Sequence, residues 1–334
     1  MDRDDGDTIL KPQGWFNHVN VPNTLTGNQL TIDHDDFKAM PPERQALVRE
    51  LRSQATASAG GVTRTNSFVP HIEVFHLSKH LIPNVQIGIQ MYFNSPDVWM
   101  WQMQGANALR LNAADIKVKL YLCQVRLNPS VYRELMNDMG SGRNVVSYPT
   151  VRSEIRTYNI MQNELHYEIT NPFQNRLPNM LVVGLVTSTA FNGTAAEYPF
   201  TFQQFNLTSI KQVVTGETYP YETLELIHTN GSKDMRGYRQ FLQATGSLCK
   251  SKGNMVRAKD WGRGKGCTLF VFENAANGCL NSPVLNPKLS GVLRLMFDFG
   301  ADQGANVTAI IYAEFENLLE INSNKTVQYD VYQV

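Results

Sequence analysis

The sequence has little charge, and the charge it has is balanced in sign. Charged residues make up 18% of the 334 residues, and 30 Lys and Arg stand against 30 Asp and Glu. A soluble domain usually has about a quarter of its residues charged. No global electric field would therefore draw this protein to a nucleic acid or to an anionic membrane surface. A contact with nucleic acid would have to be made through a local basic patch.

Long apolar runs are missing as well. The longest, around Met180–Val186, falls far short of the roughly 20 residues that a membrane-spanning helix needs. The segment Met1–Asp7 is acidic and has no apolar core of the kind found in secretory signals. We therefore expect neither a membrane span nor a signal peptide.

Cysteine is scarce and widely spaced. The sequence has no C-x-x-C pair, so the usual cysteine spacing of a zinc or redox site is absent. We expect free thiols in a reducing compartment rather than a disulfide framework. The four cysteines are Cys123, Cys249, Cys267 and Cys279.

Motifs that carry catalysis or hold a metal are also missing. His76 and His80 have the i, i+4 spacing of zinc ligands on a helix, but Ile72–Leu77 alternates like a strand. On a strand the two histidines would lie about 13 Å apart. The string His34-Asp35-Asp36 is typical of a solvated turn, and no G-x-S-x-G nucleophile elbow occurs. We therefore expect no enzyme activity, no metal and no cofactor.

Alternation of apolar and polar residues is the strongest pattern in the chain. In Val85–Phe93 every odd position is apolar, and Ile116–Leu122 repeats the pattern with lysines between the apolar residues. A period of two is the signature of a strand with one buried face. Both segments are therefore predicted to be strands.

The rest of the chain reads as short strands between Asn, Gly and Pro turns, with a few helices. Helices are predicted at Glu43–Gln54, Pro129–Met139 and Asp234–Ala244. This pattern favours a β-sandwich or jelly roll over a parallel α/β sheet. Further strands are predicted at Ser153–Asn159, His166–Thr170, Leu181–Thr187, Ile210–Val214, Thr223–His228, Thr268–Glu273, Val292–Asp298, Val307–Asn317 and Val327–Val331.

The length of the chain predicts two packed units. Gly140–Asn144 breaks the pattern, and we place the domain boundary there. Residues 1–142 would hold an N-terminal arm and a first, partial β-sandwich, and residues 143–334 a second, complete one. The predicted fold class is all-β, with two jelly-roll sandwiches and short helices in the loops.

One local basic patch does occur, in the stretch Lys250–Lys265. It contains a single acid, Asp260, and also Trp261. The patch could contact nucleic-acid phosphates, but we favour a solvated loop, or a loop that meets an acidic neighbouring subunit. The string Gly262–Gly266 lacks the spacing of a phosphate loop and leads into a strand rather than a helix. The six basic residues are Lys250, Lys252, Arg257, Lys259, Arg263 and Lys265.

An ordered series of short stretches in the second half resembles a known family. The stretches are Leu181–Val186, Ala190–Thr194, Pro199–Phe202, Phe205–Leu207 with Ile210, Asp260–Gly262, Thr268–Glu273, and Ile311–Asn317 with Ile321. Together they resemble the hexon-like major capsid proteins of Polinton/Maverick virus-like elements and adintoviruses. These proteins belong to the double-jelly-roll lineage that includes adenovirus hexon. The similarity is best from about Ile116 to the end of the chain.

The resemblance implies a structural role without catalysis. Each subunit would hold two jelly rolls, three subunits would form a pseudo-hexagonal capsomer, and capsomers would tile an icosahedral shell. The implied partners are further copies of this chain in a homotrimer, other capsid subunits, and packaged DNA in a weak contact with the basic loop. The implied location is the virion, after synthesis in the cytoplasm or nucleus of the host.

The start of the sequence departs from this family. Its members carry more residues ahead of the region that matches Gly14-Trp15-Phe16, and these residues would supply the opening strands of the first roll. We therefore expect an incomplete first roll, at about 14–142. Two other functions stay open: a domesticated or lectin-like β-sandwich that binds a ligand without assembly, and a hydrolase on a sandwich scaffold.

Overall fold

The computed structural model describes residues 67–92, 116–140, 145–226, 235–248, 256, 258, 261–262, 266–275 and 289–329. Within these ranges, residues 71, 78, 195, 196 and 198 are excepted. The predicted helix Glu43–Gln54 and the string His34-Asp35-Asp36 lie outside these residues. So does the segment 141–144, so the domain boundary stays a prediction.

The described residues form eleven strands and three α-helices, preceded by a 3-10 helix at Glu73–His76. The helices are α1 (Pro129–Gly140), α2 (Ser188–Asn192) and α3 (Met235–Ala244). The strands are β1 (Val146–Ile160), β2 (His166–Thr170), β3 (Arg176–Leu177), β4 (Met180–Thr187), β5 (Leu207–Val214), β6 (Glu217–Glu225), β7 (Leu269–Glu273), β8 (Leu289–Ser290), β9 (Leu293–Phe299), β10 (Val307–Ile321) and β11 (Val327–Tyr329).

Two large antiparallel sheets make up most of the described part of the chain, beside the two-stranded pair of β3 and β8. The first has the order β1-β10-β4-β7, with β11 beside the end of β10, and the second has the order β2-β9-β5-β6. The short strands β3, β8 and β11 can be set aside and the eight remaining strands numbered 1 to 8 along the chain. The first sheet then has the order 1-8-3-6, and the second sheet has the order 2-7-4-5. This order is that of two interleaved Greek keys, which defines an eight-stranded jelly roll.

The core lies between the inner faces of the two sheets. Leu181, Val183 and Leu185 of β4 and Leu295 and Phe297 of β9 are all fully buried in one apolar cluster. Along each strand these buried residues alternate with residues that point to the outer face of the sheet, because successive side chains of a strand point to opposite faces. Burying a side chain of this size stabilises the fold by roughly 1.5–3 kcal/mol.

A second apolar cluster fastens the segment before the roll to the start of β1. Ile82, Met139 of α1, Tyr148 of β1 and Leu319 of β10 are buried together there. The Tyr148 hydroxyl accepts the Ile82 N–H at 3.0 Å and donates to the His80 carbonyl at 3.2 Å. Because this burial disfavours the charged phenolate, the pKa of Tyr148 is raised.

Most strands predicted for the second half are confirmed. His166–Thr170 is confirmed to the residue, and Leu181–Thr187 and Thr268–Glu273 are confirmed to within one residue. The helices predicted at Pro129–Met139 and Asp234–Ala244 are confirmed as α1 and α3. The predicted strand Thr223–His228 overlaps the end of β6, and its last two residues lie outside the described part of the chain.

Three strand predictions in the first half are wrong. Residues 85–92 and 116–122 form no strand, and the apolar faces expected to be buried are exposed, as at Ile87 (51%) and Val118 (60%). A strand needs a neighbour to pair with its backbone, and within the described residues neither segment has one. The segment Ile72–Leu77 holds the 3-10 helix, in which the Phe75 N–H bonds to the Ile72 carbonyl at 2.9 Å.

Candidate assembly surfaces

The six basic residues that the sequence singled out, from Lys250 to Lys265, all lie outside the described residues. The structure instead describes the base of their loop. Gly262 bonds through both its N–H and its carbonyl to the Thr268 hydroxyl, at 3.1 and 2.9 Å. Residues 262 and 268 are therefore held together directly before β7.

Trp261 anchors this base in the core. Its side chain is 5% exposed, its indole N–H donates to the Leu269 carbonyl at 3.0 Å, and its ring meets the edge of Phe270. The ring also lies so close to Gly237 of α3 that a Cβ there would be 2.7 Å from the Trp261 Cη2 atom. An indole held in this way is unavailable for stacking on a base, so Trp261 is a core residue rather than a binding residue.

The outer face of the first sheet carries both apolar and acidic residues. Near β7 and β4 it is covered by α3, whose Phe241 packs with Val271, Val182 and Met180. Near β1 it is open: Val151 is 49% and Ile155 is 61% exposed. Ile155 pairs with Tyr312 of β10, which lies half-buried on the same face. We call Val151, Ile155, Ile310 and Tyr312 the apolar β1–β10 face. Two acidic residues of β10 lie on the same face: Glu314 opposite Ser153, and Glu316 opposite Val151.

The outer face of the second sheet is charged. His166, Asp298 and Ser209 lie side by side across β2, β9 and β5, and Glu168 approaches Arg294 at 3.5 Å on the same face. Exposed ion pairs of this kind contribute little to stability, but they keep a surface soluble. The two outer faces of the roll therefore differ: the second sheet presents paired charges, whereas the first combines exposed apolar residues with Glu314 and Glu316.

The row of His166, Asp298 and Ser209 has the residue types of a catalytic triad in the wrong order. The Ser209 hydroxyl donates to one Asp298 oxygen at 2.5 Å, and the His166 Nδ1 atom lies 2.6 Å from the other. A triad needs the histidine between the serine and the aspartate, so that it can take the serine proton. Here the bond from Ser209, and then the one from His166, lowers the pKa of Asp298. The row is a hydrogen-bond network on a solvated face.

A cluster of arginines surrounds one carboxylate on the inner face of β1. Glu154 is contacted by Arg176 at 2.9 Å, by Arg152 at 3.0 Å and by Arg156 at 3.4 Å. The Glu154 side chain is 11% exposed, whereas those of the arginines are 26–46% exposed. The Arg176 guanidinium also lies over the Phe315 ring, 5.2 Å from its centroid. We call Arg152, Arg156 and Arg176 with Glu154 the arginine cluster.

Sequence reasoning missed the arginine cluster. Arg152, Glu154 and Arg156 alternate along β1, so their period alone placed them on one face. Arg176 is the first residue of β3, directly after the turn that follows β2, and no pattern in the sequence indicated that it would reach Glu154. The two histidines considered as metal ligands, His76 and His80, do not join a cluster, since the described residues hold no group of three or more potential metal ligands.

Comparison with known proteins gives one curated relative. The chain is 27% identical over 184 residues to an uncharacterized protein of Caenorhabditis elegans. The aligned region covers 53% of this chain and 42% of the relative. The chain thus spans less than half the length of that protein. No protein-family model matches the sequence. Among the described residues, no helix is long and apolar enough to cross a membrane.

Several solved structures that resemble this chain come from viral capsids. VP54 of PBCV-1, fitted into a reconstruction of the virophage Sputnik, is 10% identical with a TM-score of 0.37, over 62% of this chain and 55% of its own. The mavirus major capsid protein is 10% identical with a TM-score of 0.32, over 57% of this chain and 42% of its own. Scores in this range do not define a fold, so the jelly-roll assignment rests on the strand order described above.

Proposed function

We propose that this chain is a structural subunit that assembles with copies of itself, as a hexon-like major capsid protein of the Polinton/Maverick (adintovirus-like) class. Three features support the proposal: the jelly-roll strand order, the ordered series of matching stretches in the sequence, and the apolar β1–β10 face. The ordered series of stretches carries most weight, because it runs through the strands that form the roll. The apolar β1–β10 face adds the exposed Val151 and Ile155 as candidate contact residues.

The apolar β1–β10 face is the proposed contact between copies. Val151 and Ile155 are β-branched, and 49% and 61% exposed. Burying the part of each that is still exposed would contribute roughly 1–2 kcal/mol to association. The edge of β1 is a poorer contact. Pro149 cannot donate a backbone hydrogen bond, and the charges of Arg152 and Glu154 on the inner face would be buried by an added strand. A second copy is therefore more suited to pack against the outer face of β1 than to add a strand to its edge.

The finer parts of the proposal follow the family resemblance. The assembly would be a homotrimer that forms a pseudo-hexagonal capsomer, and capsomers with other capsid subunits would close an icosahedral shell in the virion. Closed cyclic symmetry satisfies every contact surface in such an oligomer. The role requires no catalysis and no cofactor. A weak contact between the basic loop and packaged DNA is a separate prediction, because the six basic residues lie outside the described part of the chain.

The proposal is tested by placing a charge on the apolar β1–β10 face. We expect Ile155→Lys to weaken self-association about tenfold or more, because the lysine must be desolvated at the contact. The matched control is Thr170→Lys, which puts the same charge on an exposed, outward-facing position of the other sheet's edge strand, β2. Sedimentation velocity over a range of concentrations measures the association of both variants, and thermal unfolding verifies that both fold.

The two variants separate the possible outcomes. Loss of association in Ile155→Lys alone supports the proposed contact. Equal association of both variants and the unmodified chain contradicts it. A chain that is monomeric without any substitution removes self-assembly altogether, and would leave a β-sandwich binding module as the better account.

A further inference from the structure

The segment Val85–Met91 is nearly palindromic. Its sequence is Val-Gln-Ile-Gly-Ile-Gln-Met, so an isoleucine stands on each side of Gly88, a glutamine follows on each side, and an apolar residue closes each end. Two antiparallel copies of this segment, centred on Gly88, place similar residues opposite each other, such as Ile87 of one copy opposite Ile89 of the other. The segment is therefore self-complementary, as a two-fold contact between identical chains requires.

The backbone and the apolar side chains of this segment are open to a partner. The segment belongs to no helix or strand, and no backbone hydrogen bond joins it to another described residue. Ile87, Ile89 and Met91 are 51%, 40% and 48% exposed, and a Cβ added at Gly88 would meet no atom within 4 Å. A stretch of alternating residues with unpaired N–H and C=O groups can add to a strand of another chain.

The segment is attached to the roll at its first residue. Val85 packs against the cluster that contains Ile82 and Tyr148. A turn at Asn84, whose φ angle is 64°, lies between Val85 and the hydrogen bond from the Ile82 N–H to the Tyr148 hydroxyl. All the remaining residues of the segment are exposed. The segment thus leaves the roll at a fixed point and lies on its surface.

Charge distinguishes Val85–Met91 from the other exposed alternating stretch, at 116–122. In that stretch Lys117 and Lys119 stand between the apolar residues. Pairing of the stretch with itself about its centre would set Lys119 of one copy opposite Lys119 of the other. Like charges directly opposite each other destabilise a strand pair, and lysine on an exposed strand opposes pairing. Val85–Met91 contains no charged residue, so its pairing meets no such repulsion.

The glutamines of the segment suit the same pairing. In the antiparallel arrangement Gln86 of one copy lies opposite Gln90 of the other, on the face that also holds Gly88. The Gln90 Oε1 atom accepts the Tyr92 hydroxyl at 3.0 Å, and the N–H groups of the same amide remain as donors. A glutamine amide has both donors and an acceptor, so each glutamine pair can form a hydrogen bond between the copies.

We propose that Val85–Met91 pairs with the same segment of a second copy of this chain, as two antiparallel strands with Gly88 opposite Gly88. The second copy as partner rests on the proposed self-assembly, but the contact lies outside the apolar β1–β10 face. A pair of this kind has two-fold symmetry. In an assembly of trimers it would therefore join one capsomer to the next.

Cysteine cross-linking of the full-length protein tests the register. In Gly88→Cys the Cα atoms of the two new cysteines would lie about 4.5–5.5 Å apart, within the range of a disulfide. The matched control is Gln90→Cys, two residues further on the same face, where the two cysteines would lie at least ~13 Å apart. We expect mild oxidation to give at least tenfold more linked dimer from Gly88→Cys. Mass spectrometry of the linked peptides separates this bond from any formed by Cys123, which is also exposed.

A change of charge tests the pairing without a cysteine. The double variant Gln86→Lys, Gln90→Lys sets lysines opposite each other across the pair, and should weaken self-association about tenfold or more. The double variant Gln86→Lys, Gln90→Glu sets each lysine opposite a glutamate, and should restore association. Both variants change the same two exposed positions, so their melting temperatures should agree. Sedimentation velocity measures the association of each.

Three results would overturn the inference: no linked dimer from Gly88→Cys, equal linking of the control, or equal association of the two charge variants. Its failure is distinguishable from failure of the proposed function. Self-association that Ile155→Lys weakens and the two lysines leave unchanged would keep assembly and remove this segment from it. A Gly88-linked dimer that forms no larger particle would keep the strand pair and remove the capsomer.

Discussion

The Gln212 side chain donates from Nε2 to the Asn274 Oδ1 atom at 2.6 Å, between the two sheets of the roll. Gln212 is fully buried on the inner face of β5, and Asn274, directly after β7, is 5% exposed. Asn274 in turn donates to the Pro178 carbonyl at 2.9 Å. This chain of hydrogen bonds connects the second sheet to the segment that enters β4 of the first.

The first prediction is that Asn274→Leu destabilises the protein. It leaves the Gln212 amide and the Pro178 carbonyl buried without these partners, which we expect to cost about 2–3 kcal/mol of unfolding free energy. Urea denaturation measures the loss. The double variant with Gln212→Leu should be less destabilised than the sum of the two single variants, because removing both partners leaves fewer unsatisfied groups. Strict additivity of the two changes would show that the bond does not couple the sheets.

The second prediction concerns Gly237 on α3. Glycine to alanine inside a helix normally stabilises by roughly 0.5–1 kcal/mol. At Gly237 the new Cβ would lie 2.7 Å from the buried Trp261 ring, so we expect Gly237→Ala to lower the melting temperature instead. The control is Gly140→Ala at the end of α1, where nothing lies within 4 Å and the melting temperature should stay equal or rise. A Gly237→Ala protein as stable as the control would contradict this packing.

The third prediction is a pH dependence at Asp298. The Ser209 hydroxyl and then His166 lower the pKa of Asp298, so this carboxylate stabilises the fold above its unfolded pKa of about 3.9. That contribution is lost as the pH falls through the lower, folded pKa. Ser209→Ala should raise the pKa of Asp298, as followed by NMR titration of the carboxyl carbons. Asp302, whose pKa is lowered by the Gly304 N–H and the Gln162 side chain, should be unaffected and serves as internal control.

The sequence predicted the second half of the fold well because its strands are bounded by turn residues. Asn163 and Asn171, which flank β2, both adopt the positive φ angles that asparagine tolerates, and the strand between them was predicted to the residue. The strands predicted at 85–93 and 116–122 had equally clear alternation. A two-residue period shows that a segment is suited to a sheet, but it carries no information on whether a neighbouring strand is present.

The candidate surfaces were less predictable than the fold. Trp261 stands in a basic stretch of the sequence, yet its ring is buried by contacts with Gly237 and Phe270 that lie on other elements. The apolar β1–β10 face depends on the antiparallel register that places Ile155 opposite Tyr312. Contacts that join residues far apart in sequence are set by tertiary packing, which local patterns do not encode.

The measurement that tests the central claim most directly is the native mass of the unmodified protein, by size-exclusion chromatography with light scattering. The account predicts a stable particle of three times 37.7 kDa, or larger shells visible in negative stain. A monodisperse monomer at every concentration would contradict self-assembly as the function of this chain.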